Sequence, residues 1–164
     1  MAQMDLSKVK LMWINYPNMP TGAPASRKVF EEIVAFARAN NILICHDNPY
    51  SLVLNVGKPL SLLSVKGAKD FAIELNSMSK SHNMAGWRIG WISGDKAYID
   101  AILKIKSNVD SGMFKPMQLA AVESFKNSDA WHQQRNDEYR QRRELVYEIL
   151  DLLGCTYDRA QTGM

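Results

Sequence analysis

Lys80 stands just past an apolar run, in the stretch Ser77-Met78-Ser79-Lys80-Ser81-His82-Asn83-Met84-Ala85-Gly86-Trp87-Arg88-Ile89-Gly90-Trp91. A protonated lysine is a poor nucleophile. Desolvation or a nearby positive charge turns its amine into a Schiff-base former. A loop position at a strand end, close in sequence to Arg88, can supply both conditions. Ser77 and Ser79 can donate hydrogen bonds to a phosphate. Arg88 offers a planar fork for a bidentate phosphate contact. Gly86 and Gly90 permit close backbone approach. The set suits a phosphorylated aldehyde: the amine bonds the carbonyl, and the hydroxyls and guanidinium hold the phosphate.

Asp47 is the second chemical element. It follows Ile42-Leu43-Ile44-Cys45-His46 and precedes Asn48-Pro49-Tyr50. A carboxylate at a strand end can pair with a protonated ring nitrogen and keep that ring cationic. The same residue before Asn-Pro also fits an ordinary turn. Tyr50 can direct its hydroxyl to a ring oxygen, or simply pack. The third element is Asn15-Tyr16-Pro17-Asn18-Met19-Pro20-Thr21-Gly22. Here Asn15 or Asn18 can reach a ligand or stabilise the turn. His46, beside Asp47, can tune the site from behind it, but reads more readily as a satisfied structural histidine. His82, inside the lysine loop, can contact a cofactor or a neighbouring subunit. His132 reads as exposed on a helix. Cys45 reads as a small buried hydrophobe.

The surrounding pattern supplies elements to position these groups. Strands are predicted at Lys10 to Asn15, Ile42 to Cys45, Phe71 to Leu75 and Arg88 to Ser93. Ser26 caps a predicted helix through Asn40, with Val29, Phe30, Ile33, Val34 and Ala37 on its apolar face. Asp95 caps a second helix through Asn108. Helices follow over Pro116 to Asn127 and, from Ser128 to Leu153, up to Gly154. This order predicts an α/β fold with a mostly parallel sheet, flanking helices, and long helices after it. Ligands bind such sheets beyond the carboxyl ends of the strands. All three polar clusters lie there, which points to one site.

Composition narrows the function. The 164 residues suit a domain with a sizeable core, and a net charge of +3 gives no reason to expect nucleic acid. The Arg140, Arg142 and Arg143 cluster is interleaved with Asp137, Glu138 and Glu144, and reads as a solvated helix face. Two cysteines without motif spacing indicate neither a disulfide framework nor a zinc site, so a reducing cytoplasm is expected. No stretch is apolar for long enough to cross a bilayer, and no signal peptide is expected.

The three elements and their order resemble the class I and II aminotransferases, pyridoxal 5'-phosphate (PLP) enzymes of fold type I related to aspartate aminotransferase. The family sequence runs from an N-P-T-G turn through D-x-x-Y to S-x-S-K and G-x-R-x-G. The resemblance covers nearly all of the chain. It implies a partial PLP-binding large domain over 1–115, connecting helices over 116–153, and the start of a small C-terminal domain over 154–164. It implies amino transfer between an amino acid and a 2-oxo acid through a Schiff base on Lys80, which also shuttles a proton. Asp47 is then the partner of the pyridine nitrogen and Tyr50 that of the ring hydroxyl oxygen. Ser77, Ser79 and Arg88 are the phosphate ligands. The resemblance further implies a cytoplasmic homodimer at full length, with the Asn108 to Lys115 loop approaching the partner subunit. A β-lyase, a cyclopropane-forming synthase, or a noncatalytic module would share this cofactor apparatus or this fold.

Two departures from the family pattern qualify it. The asparagine expected before Pro-Thr-Gly is Met19, whose thioether cannot donate a hydrogen bond. Asn18 or Tyr50 is left to serve the ring oxygen. The family's earlier phosphate-binding loop, its ring-stacking aromatic and its carboxylate-gripping arginine also have no counterpart in the chain. The 164 residues alone are therefore expected to show negligible amino transfer.

Overall fold

A computed structural model describes residues 5–54 and 58–160 of the chain. Its centre is a four-stranded sheet in the order β1-β2-β3-β4. The strands are β1 (Leu11–Asn15), β2 (Leu43–Asp47), β3 (Ala72–Ser77) and β4 (Gly90–Gly94). β1 with β2 and β2 with β3 pair parallel, while β3 with β4 pairs antiparallel. Parallel neighbours need a crossover, usually a helix. The connection from β3 to β4 holds only two short helical turns, Met78–Ser81 and Ala85–Trp87, and the chain reverses. The mostly parallel sheet is as expected, and β4 is its exception.

α1 (Arg27–Asn40) forms for local reasons. The Ser26 hydroxyl accepts from Val29 N, and Asn41 ends the helix in the left-handed region at φ 52°. Its face of Phe30, Val34 and Ala37 packs against Ile44, Leu62, Val65, Ala68 and Ala72 in the principal core. Burying the fully enclosed Phe30 side chain contributes about 1.5–3 kcal/mol. This core fixes β2 and β3 side by side, and the site is built at their ends. The opposite sheet face is less covered, with Trp13 63% exposed.

α2 (Met78–Ser81) is a single turn directly after β3. α3 (Lys96–Val109) is capped by the Asp95 side chain on Ala97 N at 2.8 Å. α4 (Lys115–Ser124) and α5 (Asp129–Leu152) complete the chain order. Within α5 only Arg135 and Tyr147 are buried, and the charged middle is otherwise largely solvated. Among the described residues no helix is long and apolar enough to cross a membrane.

Two glycines differ in purpose. A Cβ on Gly90 would meet the Asn76 carbonyl oxygen at 2.6 Å, so glycine is what lets β4 lie in register beside β3. Gly86 has nothing within 4 Å of its Cβ position, and no close approach requires it.

Candidate active site

The lysine turn is built from the backbone outward. Ser77 caps α2, its hydroxyl accepting from Ser79 N at 3.1 Å. Ser81 closes the turn by donating to the Ser77 carbonyl at 2.9 Å. Met78 is fully buried against Met84, Ile89 and Ala121. It pins the turn from below while Lys80 stays half-buried above. Among the described residues, no hydrogen bond or ion pair engages the Lys80 ammonium.

Arg88 is not a strand residue, contrary to the sequence expectation. It sits in the left-handed region at φ 53°, just past the short helical turn Ala85–Trp87. The reason is its own side chain. Nη1 folds back to donate to the Ala85 carbonyl at 3.0 Å and reaches Ser79 Oγ at 3.5 Å. The strand therefore begins at Gly90. Exposed Arg88 and half-buried Ser79 stand together on one rim. Ser77, by contrast, uses its hydroxyl as a cap.

The second element lies at the end of β2. Asp47 is level with Asn15 of β1 and Leu75 of β3. The Asn15 amide crosses to donate to the Asp47 carbonyl at 2.9 Å. Its oxygen accepts from Met19 N at 2.7 Å. Partial burial pushes the Asp47 carboxyl up, and the neighbouring His46 opposes that shift. Tyr50 follows, half-buried. Asn18 is committed to its own turn. Its oxygen accepts from the Thr21 hydroxyl at 2.6 Å, and its amide donates to the Asn15 carbonyl at 3.3 Å. In this arrangement Asn15, not Asn18, links the proline turn to Asp47.

Below these ends lies a buried polar network that the sequence reading missed. Glu74 is 5% exposed and His46 is fully buried. His46 Nδ1 lies 3.1 Å from Glu74 Oε2, and Nε2 lies 3.0 Å from the Tyr16 carbonyl. Both ring nitrogens thus face an oxygen. The signal was present: Glu74 is an acid at a core-facing position of an apolar strand. Burial raises the Glu74 carboxyl, but hydrogen bonds from His46, Ser61 and Asn76 outweigh it and lower it from 4.5 to about 2. A depressed folded value means stability is present above the unfolded value and lost as pH falls through the folded one. Stability should therefore fall by about 2–3 kcal/mol between pH about 4.5 and about 2. Denaturant melts across that window check this, and an unchanged midpoint from pH about 5 to about 3 would contradict it.

His132 is not exposed as expected. It is half-buried against His82 at 5.1 Å between ring centroids, with Trp131 alongside. Burial, followed by neighbouring charge that includes Arg135, lowers both histidines. Cys45 is buried as expected. Among the described residues, no group of three or more His, Cys, Asp or Glu could hold a metal ion. A cavity of about 330 Å³ adjoins the lysine turn, lined by Asn48, Glu74, Asn76 and Ser77 together with Leu52 and Trp91 among others. A wider apolar groove of about 780 Å³ between β4, α3 and α4 contains none of the predicted site residues.

Fold and site together define an α/β protein with its candidate ligand site beyond the carboxyl ends of parallel strands. The chain belongs to the family Aminotransferase class I and II, which matches residues 2–164. It is 46% identical over 148 residues to an LL-diaminopimelate aminotransferase 2 of Trichormus variabilis, covering 90% of this chain and 38% of that protein. An LL-diaminopimelate aminotransferase of Gloeobacter violaceus is 47% identical, again over 90% and 38%. Among solved structures, an aminotransferase from Staphylococcus aureus superposes with a TM-score of 0.89 at 31% identity, covering 99% of this chain and 44% of that one. A probable N-succinyldiaminopimelate aminotransferase from Thermus thermophilus gives 0.84 at 33% identity, over 89% and 40%. The chain thus spans about two fifths of the length of these relatives.

Proposed function

We propose that this chain carries the cofactor-anchoring part of a PLP-dependent aminotransferase. The observation that carries the reading is the lysine turn: Lys80, unengaged by a described residue, beside a paired Ser79 and Arg88. The donor set fits the cofactor. An amine suits its aldehyde, a hydroxyl and a guanidinium suit its phosphate, and a strand-end carboxylate suits its ring nitrogen. When bound, the cofactor supplies an electron-withdrawing ring that eases proton loss from the substrate's α-carbon.

The chain's own residues do the rest. Lys80 Nζ would hold the cofactor through its carbonyl carbon, with loss of water, and once a substrate amine had displaced it the free amine would be placed to hold and pass on a proton. Asp47 holds the proton on the ring nitrogen by a charge-assisted hydrogen bond. Asn15 fixes the backbone of Asp47. Ser79 and Arg88 hold the phosphate, with Ser77 shaping the turn that presents them. Tyr50 and Asn18 remain the candidates for the ring oxygen, and Asn18 would have to leave Thr21 to serve.

The relatives' names make an LL-diaminopimelate-type amino acid with a 2-oxo acid acceptor the first pair to assay. Amino transfer, a homodimeric assembly and a cytoplasmic location belong to this same proposal for the whole protein. The division at 115 and 153 is proposed likewise. Borohydride treatment with PLP, followed by peptide mass analysis, tests the anchor. The expected result is a single reduced adduct on the peptide containing Lys80. An adduct on other lysines only, or none, would sink the reading.

A further inference from the structure

Glu74 is a charged residue in a core-facing position, and such residues stay buried only when paired. Its carboxylate receives five hydrogen bonds. Oε2 accepts from His46 Nδ1 at 3.1 Å, Ser61 Oγ at 2.8 Å and Leu62 N at 2.9 Å. Oε1 accepts from the side-chain amides of Asn48 and Asn76, each at 3.2 Å. His46 passes the link on to the Tyr16 carbonyl at 3.0 Å.

The placement of these donors is informative. β2 and β3 diverge after the bond from Asn48 N to the Leu75 carbonyl at 2.8 Å. The β2 chain continues to Tyr50, and the β3 chain to Ser77 and Lys80. Glu74 Oε1 bridges the departing ends by taking one amide from each. Through Oε2 and His46 it also holds the opening of the proline turn. One carboxylate thus joins the three segments that carry the candidate site, and it touches none of the reacting groups.

We infer that Glu74 is a positioning residue. Through Asn48, Asn76 and His46 its ionised carboxylate sets where Asp47 stands relative to the lysine turn, and so how tightly the site holds a phosphorylated pyridine aldehyde. The inference rests on the cofactor reading above. Charge-assisted hydrogen bonds are roughly twice as strong as neutral ones, so the charge matters as well as the shape. Glutamine in place of Glu74 would set an NH2 donor against existing donors on whichever side it faced.

The test compares Glu74→Gln and Asn76→Ala with Ser26→Ala, which removes a distant helix cap. Folding is checked by circular dichroism. PLP affinity and the pH midpoint of the lysine-bound chromophore are read by absorbance. Glu74→Gln and Asn76→Ala should weaken PLP by about tenfold or more, the scale on which outer-shell partners act. They should also move the chromophore midpoint by about one pH unit. Ser26→Ala should lower the melting temperature and leave both readings unchanged. Unchanged affinity and midpoint in folded Asn76→Ala would overturn the inference, as would equal losses in Ser26→Ala. If Glu74→Gln does not fold, Asn76→Ala decides alone. If the unsubstituted protein takes no borohydride adduct at Lys80, the cofactor reading has failed, and hydrogen exchange of the Ser77 to Ser81 amides decides the positioning. Exchange about tenfold faster in Asn76→Ala supports it, and unchanged exchange overturns it.

Discussion

Lys80→Arg is expected to keep the melting temperature of the unsubstituted protein and to take no borohydride adduct from PLP. Where the proposed amino transfer is assayed in the whole protein, it should fall by at least about a thousandfold. Lys80 makes no hydrogen bond or ion pair to a described residue, so little native structure depends on its head group. Substitutions away from buried networks usually change stability by less than about 0.5 kcal/mol. Arginine also keeps a positive charge in the last turn of α2, where lysine now stands. What it cannot supply is a free amine, because a guanidinium stays protonated at any working pH. A chemical role and a structural role therefore separate cleanly at this residue. Calorimetry and mass analysis of the borohydride-treated variant check the two halves together. A retained adduct count would mean that another lysine does the bonding. A large fall in melting temperature would mean that Lys80 holds the fold in a way its surroundings do not show.

Legibility in the sequence followed the range of the interaction. α1 was readable end to end because each determinant is local: the Ser26 cap, the Phe30, Val34 and Ala37 face, and the break at Asn40-Asn41. β3 was found but ends two residues beyond the predicted Leu75, because its partner β4 extends the ladder to Ser77 and Gly90. β4 was placed two residues early because the fold-back of Arg88 onto Ala85 has no signature in propensity. The lysine turn and Asp47 were legible as chemistry. The residues that hold them in place were less so. The sequence favours Asn18 over Asn15 as a ligand of the ring oxygen, and only the pairing of β1 with β2 shows that Asn15 is the one that reaches Asp47. Inside Phe71-Ala72-Ile73-Glu74-Leu75, Glu74 is a single acid whose partners all lie elsewhere in the chain or across the turn. Arg135 was hidden in a charged helical stretch whose other members are mostly solvated, and nothing local separates the one buried arginine from its neighbours.

Arg135 is where the second large effect is expected. It is 7% exposed, and its guanidinium donates to the carbonyls of Ser81 in the lysine turn and Leu52 in the loop after Tyr50. It also donates to Asn136 Oδ1 at 3.1 Å and lies 5.5 Å from the Trp131 ring centroid. Arg135→Met keeps much of the apolar stem but leaves the Ser81 carbonyl without that donor. Leu52 would keep only the Asn136 amide, at 3.2 Å. An unpartnered buried polar group costs about 1–3 kcal/mol. The opposing gain is relief of a buried charge whose Nε has no hydrogen-bond partner among the described residues, but both terminal nitrogens are bonded, so loss should prevail. A net loss of about 2 kcal/mol corresponds to a fall of roughly 4–8 °C in melting temperature. The same variant carries a second signature. The charge of Arg135 helps hold His82 and His132 below their ordinary value. A depressed histidine opposes folding as pH falls below its unfolded value, because the unfolded chain then binds the proton more readily. Removing Arg135 should raise both titrations and make stability less sensitive to pH below about 6.5. Proton NMR of the two rings, read with melting temperatures at pH about 5 and about 8, distinguishes a clamp from a spectator. Unmoved histidines and an unmoved melting temperature would show that α5 is held against the lysine turn by its other contacts, Tyr139 to Asn83 and Asn136 to Leu54, rather than through Arg135.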